Sequence, residues 1–343
     1  MATIKDIAKR LNISVSTVSY ALNGGPRNVP EHVKEQVWAV AQELDYRPNR
    51  VARQLVTRSS DTIGIVPDHS SEDAMLGPYL QQIFNAVLNV AERQMQDVLF
   101  LSSHSGSDPN TYLNTLLDGR VDGVILIADN RSKLRELLVN RKFPHVMVSA
   151  PNDGESPTFG VNNVSGMNML VDHLADLGHK KVGYLRGLSR QPDSQFREAA
   201  LLERAAMHGM EIRPEWVRDG DFYSETSHRV GLEILDQGEI PTAMICFNDE
   251  SAVGFMNACR DRGLKIPEDI SVVGFDNVPW IGYITPKLTT VRQPVGEIAH
   301  AAASALLDLI AGKTVTSQLF EPELIVRDST TRPKEDTFSH AQK

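Results

Sequence analysis

Two cysteines stand in 343 residues, and that scarcity removes several classes of protein at once. Cys246 and Cys259 are too few for a disulfide framework or a cysteine-built metal cluster, and their apolar surroundings suit plain core packing. No apolar run reaches the roughly 18 residues that suggest a membrane span. Met1-Ala-Thr-Ile-Lys-Asp lacks the basic stretch followed by an apolar one that marks a secretory signal. A reducing cytoplasm fits all of this. Signatures of nucleotide and acyl chemistry are missing too: no strand leads into G-x-G-x-x-G, and neither G-x-x-x-x-G-K-[ST] nor G-x-S-x-G occurs. His173 and His179 are six residues apart, on different helix faces, and are expected to be structural or surface groups rather than metal ligands. The expectation is therefore a protein that is not an enzyme, with no cofactor and no metal.

What is present is an uneven charge. Residues 1–60 hold nine Lys/Arg and five Asp/Glu, a net of +4, which leaves −13 for the rest of a chain of net charge −9. A basic head on an acidic body suggests that only the head meets a polyanion. Thr3 and Asp6 make a capping-box-like start, and Ile4, Ile7, Ala8 and Leu11 repeat as one face of a short helix. Asn12-Ile13-Ser14 breaks it, and Ser14 can cap a second helix to about Asn23, with Val18 and Leu22 on its buried face. Val15, Ser16, Thr17, Ser19 and Tyr20 have no evident burial duty. Gly24-Gly25-Pro26 ends that helix, and Pro30 opens a third with Val33, Val37, Ala41 and Leu44 as its apolar stripe. Two helices about a three-residue turn, the second rich in hydroxyls, describe a helix-turn-helix that reads the major groove of DNA.

From residue 61 the pattern becomes α/β. Apolar runs recur at Ile63–Val66, Val98–Leu101, Val124–Ile127, Val146–Val148, Val182–Leu185, Met244–Phe247 and Val272–Phe275, with helical segments between most of them. Near-continuous apolar strands alternating with helices imply parallel sheets covered on both faces. There are too many for one sheet, so two doubly wound lobes are expected, with a ligand cleft where their strand ends face each other. Polar residues stand at those ends: Asp68, Ser149, Asn248-Asp249 and Asp276-Asn277. They suit a polyhydroxylated ligand, since each carboxylate or amide can take two hydroxyl hydrogen bonds. Capping of loops is the alternative for each.

Two head stretches, Thr3-Ile-Lys-Asp-Ile-Ala-Lys-Arg-Leu-Asn-Ile-Ser-Val-Ser-Thr-Val-Ser-Tyr-Ala-Leu-Asn23 and Leu44-Asp-Tyr-Arg-Pro-Asn-Arg-Val-Ala-Arg-Gln-Leu55, closely resemble the head and hinge of the lactose-repressor/galactose-repressor family. In the core, Leu177-Gly-His-Lys-Lys-Val182, Cys246-Phe-Asn-Asp-Glu-Ser-Ala-Val-Gly254, Ile266-Pro-Glu-Asp-Ile-Ser-Val-Val-Gly-Phe-Asp276 and Leu324-Ile-Val-Arg327 extend the resemblance over residues 3–330. It implies a bacterial, ligand-responsive repressor whose core is periplasmic-binding-protein-like. By the match, Val15, Ser16 and Tyr20 choose operator bases, while Thr3, Ser14, Thr17, Ser19 and Asn23 belong to the DNA contact and largely hold phosphates. Many relatives have Arg where Tyr20 stands, which removes a bidentate guanine reader. Asn49, Arg50, Ala52, Arg53 and Leu55 match a hinge that becomes helical on DNA, with Leu55 as the wedge in the minor groove.

The resemblance assigns the effector site to Ser149, Arg197, Phe222, Asn248 and Asp276, with Arg197 as clamp and Phe222 as the stacking aromatic. It implies a homodimer on pseudo-palindromic double-stranded operator DNA, without contact to a membrane. A sugar that releases the repressor is the expected effector. The alternatives are a purine-type or other co-repressor on the same architecture, or a free sugar-binding protein. Expected divisions are a head (1–47), a hinge and linker (48–60), a core (61–330) and a disordered tail (331–343) without tetramerising heptads. Within the core, lobe one takes 61–161 and 294–318, and lobe two takes 162–293 and 319–330. Three departures stand out: Ala200 where relatives have Gly, Asn162-Asn163 for Asp-Asn, and a long 68–79 loop.

Overall fold

Three short helices form the head: α1 (Ile4–Leu11), α2 (Val15–Asn23) and α3 (Glu31–Glu43). The computed structural model describes residues 2–24, 27–47, 54, 57, 59–67, 77–101, 108–127, 132–152, 154–189 and 191–334. They fall in two compact units, residues 1–62 with 116–122, and 63–115 with 123–343. In the first, the helices close around Ile7, Ala8, Val18, Ala21, Val37 and Ala41. The backbone N–H of Thr3 donates to Asp6 Oδ2 at 2.8 Å. The Thr3 hydroxyl donates to the same oxygen, and that bond, with the backbone one, holds the Asp6 carboxyl below its ordinary range. Asn12 takes the left-handed backbone of the turn, at φ 52°, which asparagine tolerates better than most residues. Ser14 Oγ then accepts the Thr17 N–H at 3.0 Å and satisfies one of the orphan donors of α2. Pro30 is the residue before α3 rather than its first. In the same unit, Asp122 accepts from the Ser59 hydroxyl at 2.7 Å and from the backbone N–H groups of Ser60 and Asp61 at 2.7 and 2.9 Å. The hinge positions Asn49, Arg50, Ala52, Arg53 and Leu55 lie outside the described residues.

The second unit carries two six-stranded sheets. One lobe is built on β1 (Thr62–Pro67), β2 (Asp97–Phe100), β3 (Gly123–Ile127), β4 (His145–Val148), β5 (Thr158–Val161) and β11 (Gln318–Phe320). Its helices are α4 (Pro78–Arg93), α5 (Pro109–Leu116), α6 (Ser132–Asn140) and α11 (Val295–Ile310). The other is built on β6 (Val182–Arg186), β7 (Val217–Asp219), β8 (Ala243–Cys246), β9 (Ser271–Asp276), β10 (Thr289–Arg292) and β12 (Glu323–Ile325). Its helices are α7 (Asn163–Leu177), α8 (Pro192–Met207), α9 (Ser224–Leu235) and α10 (Asp249–Asp261). The orders are β11-β5-β4-β3-β1-β2 and β12-β10-β9-β8-β6-β7, so the same winding occurs twice. In each lobe the first strand sits between the second and third, which places a switch point there, and switch points are where such sheets open a crevice. Strands β3, β8 and β9 are buried along their whole length, as strands with helices on both faces must be.

Several short elements have no counterpart in the sequence reading. Strands β5, β7, β10, β11 and β12 are three or four residues long, and edge strands such as Val217-Arg-Asp219 are too polar to stand out. Because β11 reaches Phe320 in the first sheet, the chain crosses between Phe320 and Glu323, slightly past the 318/319 boundary expected. The segment from Thr331 to Lys334, expected to be disordered, is bonded to the second lobe. The Thr331 carbonyl lies 2.9 Å from His179 Nε2 and accepts from the Ser271 hydroxyl at 3.2 Å, and Lys334 Nζ pairs with Asp269 at 2.5 Å. Residues 335–343 lie outside the described residues. His179 is thereby a buried structural group, held also by Thr242 at 2.9 Å, and burial lowers its basicity. Cys246 and Cys259 are both buried in the second lobe.

Candidate functional site

Strand ends from both lobes converge on one cavity of about 140 Å³. The first lobe contributes Pro67 at the end of β1, Tyr79 and Leu80 in the first turn of α4, Ile127 at the end of β3, and Ser149 just past β4. The second contributes Gln191, Asp193 and Arg197 from the start of α8, with Phe222, Phe247, Asn248, Glu250, Asp276 and Gln293. All five positions assigned to the effector by resemblance border this one space. Asp68 lies outside the described residues.

Arg197 is its centre. It is 2% exposed, and its guanidinium carbon sits 3.6 Å from the ring centroid of Phe275 and 4.5 Å from that of Phe247. Nε donates to Asn163 Oδ1 at 2.8 Å, and Nη1 donates to the Phe247 carbonyl at 2.8 Å. Nη2 has no partner among the described residues. A guanidinium stacked between rings and bonded along two edges is already ordered, so a ligand that uses the third edge loses little entropy in fixing it. Room for this stack comes from Gly166 on α7: a Cβ there would lie 2.7 Å from Phe275 Cζ.

Asp276 ends β9 with φ 117°, and Asn277 follows at φ 55°, backbone conformations that non-glycine residues keep only when their surroundings enforce them. Here Gln293 Nε2 donates to Asp276 Oδ1 at 2.6 Å, and Arg327 Nη2 donates to Asn277 Oδ1 at 2.6 Å. Arg197 Nη1 stands 4.0 Å from Asp276 Oδ1. Burial nonetheless pushes the Asp276 carboxyl up to about 6, against the opposing pull of Arg197 and Gln293. Ser149, also in the left-handed region at φ 54°, lies 2.5 Å from the Tyr79 hydroxyl through its Oγ.

Asn248 divides its bonds. Its Oδ1 accepts the Ser251 N–H at 2.9 Å, capping α10, and its Nδ2 donates to the Phe222 carbonyl at 3.2 Å. Capping therefore accounts for the oxygen, and one amide hydrogen is left. Asp249 is wholly structural: Thr290 Oγ1 donates to it at 2.5 Å and the Val278 N–H at 2.8 Å, tying α10 to the strands beside it. The ring of Phe222 stands 5.1 Å from that of Phe247 at 42°, tilted rather than parallel.

Sequence reasoning missed Tyr79, Asn163, Asp193 and Gln293. Asn163 was visible only as half of an unusual Asn-Asn pair. The structure splits that pair: Asn162 Oδ1 accepts the Ser165 N–H at 3.1 Å to cap α7, while Asn163 braces Arg197 and donates to Asp193 Oδ1 at 2.9 Å. Nothing local signals the second role, because both its partners come from α8, some thirty residues along the chain. Among the described residues, no group of three or more His, Cys, Asp or Glu side chains could hold a metal ion.

In the head, Thr3, Ser14, Val15 and Ser16 are exposed and Thr17, Ser19, Tyr20 and Asn23 partly so, which leaves one face of α2 to solvent. Ser14 Oγ lies 2.8 Å from both Ser16 Oγ and Thr17 Oγ1. Tyr20 packs in part against the head core, so it is less free than the sequence suggested.

Comparison with known proteins agrees with both halves of this architecture. Residues 3–49 match the family of bacterial regulatory proteins described as the lacI family, and residues 171–330 match the periplasmic binding protein-like domain. The HTH-type transcriptional repressor PurR of Erwinia tasmaniensis is 34% identical over 336 residues, spanning 96% of this chain and 97% of the relative. Its namesake from Aliivibrio salmonicida is 30% identical over 335 residues, spanning 96% and 99%. The crystal structure of the lac repressor dimer bound to operator and the anti-inducer ONPF superposes with a TM-score of 0.83 at 26% identity, over 96% of this chain and 99% of that one. With a helix-turn-helix head, two parallel-sheet lobes and full-length relatives of this kind, the chain belongs to the lacI family of bacterial regulatory proteins, as a ligand-responsive DNA-binding transcription repressor.

Proposed function

We propose that the chain is a homodimeric repressor of a sugar-utilisation operon, released from a pseudo-palindromic operator when a sugar occupies the cavity. The observation that carries this reading is the pairing of Arg197 and Asp276, an ordered donor and a buried acceptor, with Nη1 4.0 Å from Oδ1. A hydroxyl both donates and accepts, so a neighbouring pair of hydroxyls can satisfy both groups at once. The exposed face of α2 reads bases through Val15, Ser16 and Tyr20, while Thr3, Ser14, Thr17, Ser19 and Asn23 hold the backbone. Asn49, Arg50, Ala52, Arg53 and Leu55 form the hinge that enters the minor groove. Occupation of the cavity favours a lobe arrangement that no longer seats the hinges, which is a difference in affinity between two states.

A second reading is a purine-type co-repressor, favoured by the relatives named PurR. Against it, a flat heterocycle prefers parallel stacking faces, and Phe222 and Phe247 are tilted by 42°. The test is to select a preferred duplex from a random pool with the full-length protein, then titrate the complex with sugars and with purine bases. Release by a sugar supports the first reading, and tighter binding with a purine base supports the second. A duplex that responds to neither, while the protein's melting temperature also stays unchanged, contradicts both.

A further inference from the structure

Among the described residues, the cavity's lining carries more carboxylates than its one arginine balances. Asp193, Glu250 and Asp276 all border it, and Arg197 is the one Lys or Arg among its described lining residues. Asp193 and Glu250 both lie close enough to Asp276 to disfavour its ionisation. Their bonding leaves much unused. Asp193 takes one hydrogen bond, at Oδ1 from Asn163, and Glu250 has neither hydrogen bond nor ion pair among the described residues. Burial raises the Glu250 carboxyl. An independent sign comes from Gln293, which is 5% exposed, lines the same cavity, and has a buried Oε1 without a partner among the described residues. Beside the free Nη2 of Arg197 and one amide hydrogen of Asn248, the described lining thus offers unmatched acceptors on Asp193, Glu250 and Gln293, and a buried one such as Gln293 Oε1 is costly to leave unmatched.

We infer that the effector is a protonated amino sugar, its ammonium facing Asp193 and Glu250 and its hydroxyls meeting Arg197 and Asp276; this rests on the sugar reading above. An ammonium supplies three donors and one positive charge, which is what a described lining of three carboxylates and one guanidinium lacks. A phosphorylated or acidic sugar would bring like charge into a space with two surplus carboxylates. Asp193 and Glu250 both sit in the first turn of a helix, α8 and α10.

The experiment uses the full-length protein on its selected duplex, with sugars in matched triads: a neutral hexose, its 2-amino-2-deoxy derivative and its 6-phosphate. Within the responding triad, the amino derivative should release DNA at a concentration about tenfold lower than the neutral parent, with the phosphate weakest. Glu250→Gln and Asp193→Asn should each shrink that preference, and a melting curve of each variant shows that it folds. Equal response to neutral and amino sugars, or preference for the phosphate, overturns the inference and leaves the sugar reading standing. A preference that survives both substitutions also overturns it. If no sugar releases DNA or shifts the melting curve, the inference and the sugar reading fall together.

Discussion

Gly166 shows how one residue can act at a distance from the ligand. It touches no part of the cavity, yet it admits the ring of Phe275, and that ring carries the guanidinium of Arg197. Gly166→Ala should overpack this contact at a cost of about 1–3 kcal/mol and should raise the effector concentration needed for release. A thermal melt together with an effector titration checks both; an unchanged titration would remove Phe275 from the support of the clamp. Asp276 gives a second prediction at this scale. Its folded value, about 6, lies above the ordinary 3.8, so its contribution to stability is full below 3.8 and is lost as pH rises through about 6. Ligand binding runs the other way if the carboxylate is the acceptor: affinity should fall as pH drops below about 6. Calorimetric titration across pH 5–8, with Asp276→Asn as control, tests the sign.

At the scale of the element, α2 depends on Ser14. Its hydroxyl accepts the Thr17 N–H at 3.0 Å, and losing such a cap typically costs about 1 kcal/mol. Ser14→Ala should accordingly raise hydrogen exchange of the α2 amides by about fivefold, and unchanged exchange would contradict the assignment. Tyr20→Ala should cost about 1–3 kcal/mol on the preferred operator and relax one symmetric pair of bases, as read by selection from a random pool. The head helices were legible because capping and apolar spacing are local: Thr3, Asp6 and Ser14 sit where their sequence neighbours require. The core's seven apolar runs were legible for the same reason. Short strands such as β7 and β12 were not, since three residues carry no periodicity and gain their partners only from the assembled sheet. The cavity divides likewise. Arg197 and Asp276 stood out through resemblance, whereas Asn163 and Gln293 act only through groups far along the chain.

In the whole molecule, a basic head and an acidic two-lobed core are joined in one chain, and the account requires the state of the cavity to alter the hold on DNA. Arg197 is the residue on which that requirement turns, because it is buried, held by two hydrogen bonds and has no partner for its remaining edge among the described residues. Arg197→Ala should leave operator binding in the absence of effector intact, since the cavity lies in the core unit and not in the head. Ligand binding should weaken by about 2–4 kcal/mol through the bonds lost and the ligand hydroxyls left unmatched. Arg197→Lys should fail nearly as badly, because an ammonium cannot reproduce the planar fork. The decisive measurement is operator release against effector concentration for the wild type and Arg197→Ala. Arg197→Ala should keep normal operator affinity with a release curve displaced by roughly 30- to 1,000-fold; release at the wild-type concentration would mean that Arg197 does not hold the effector.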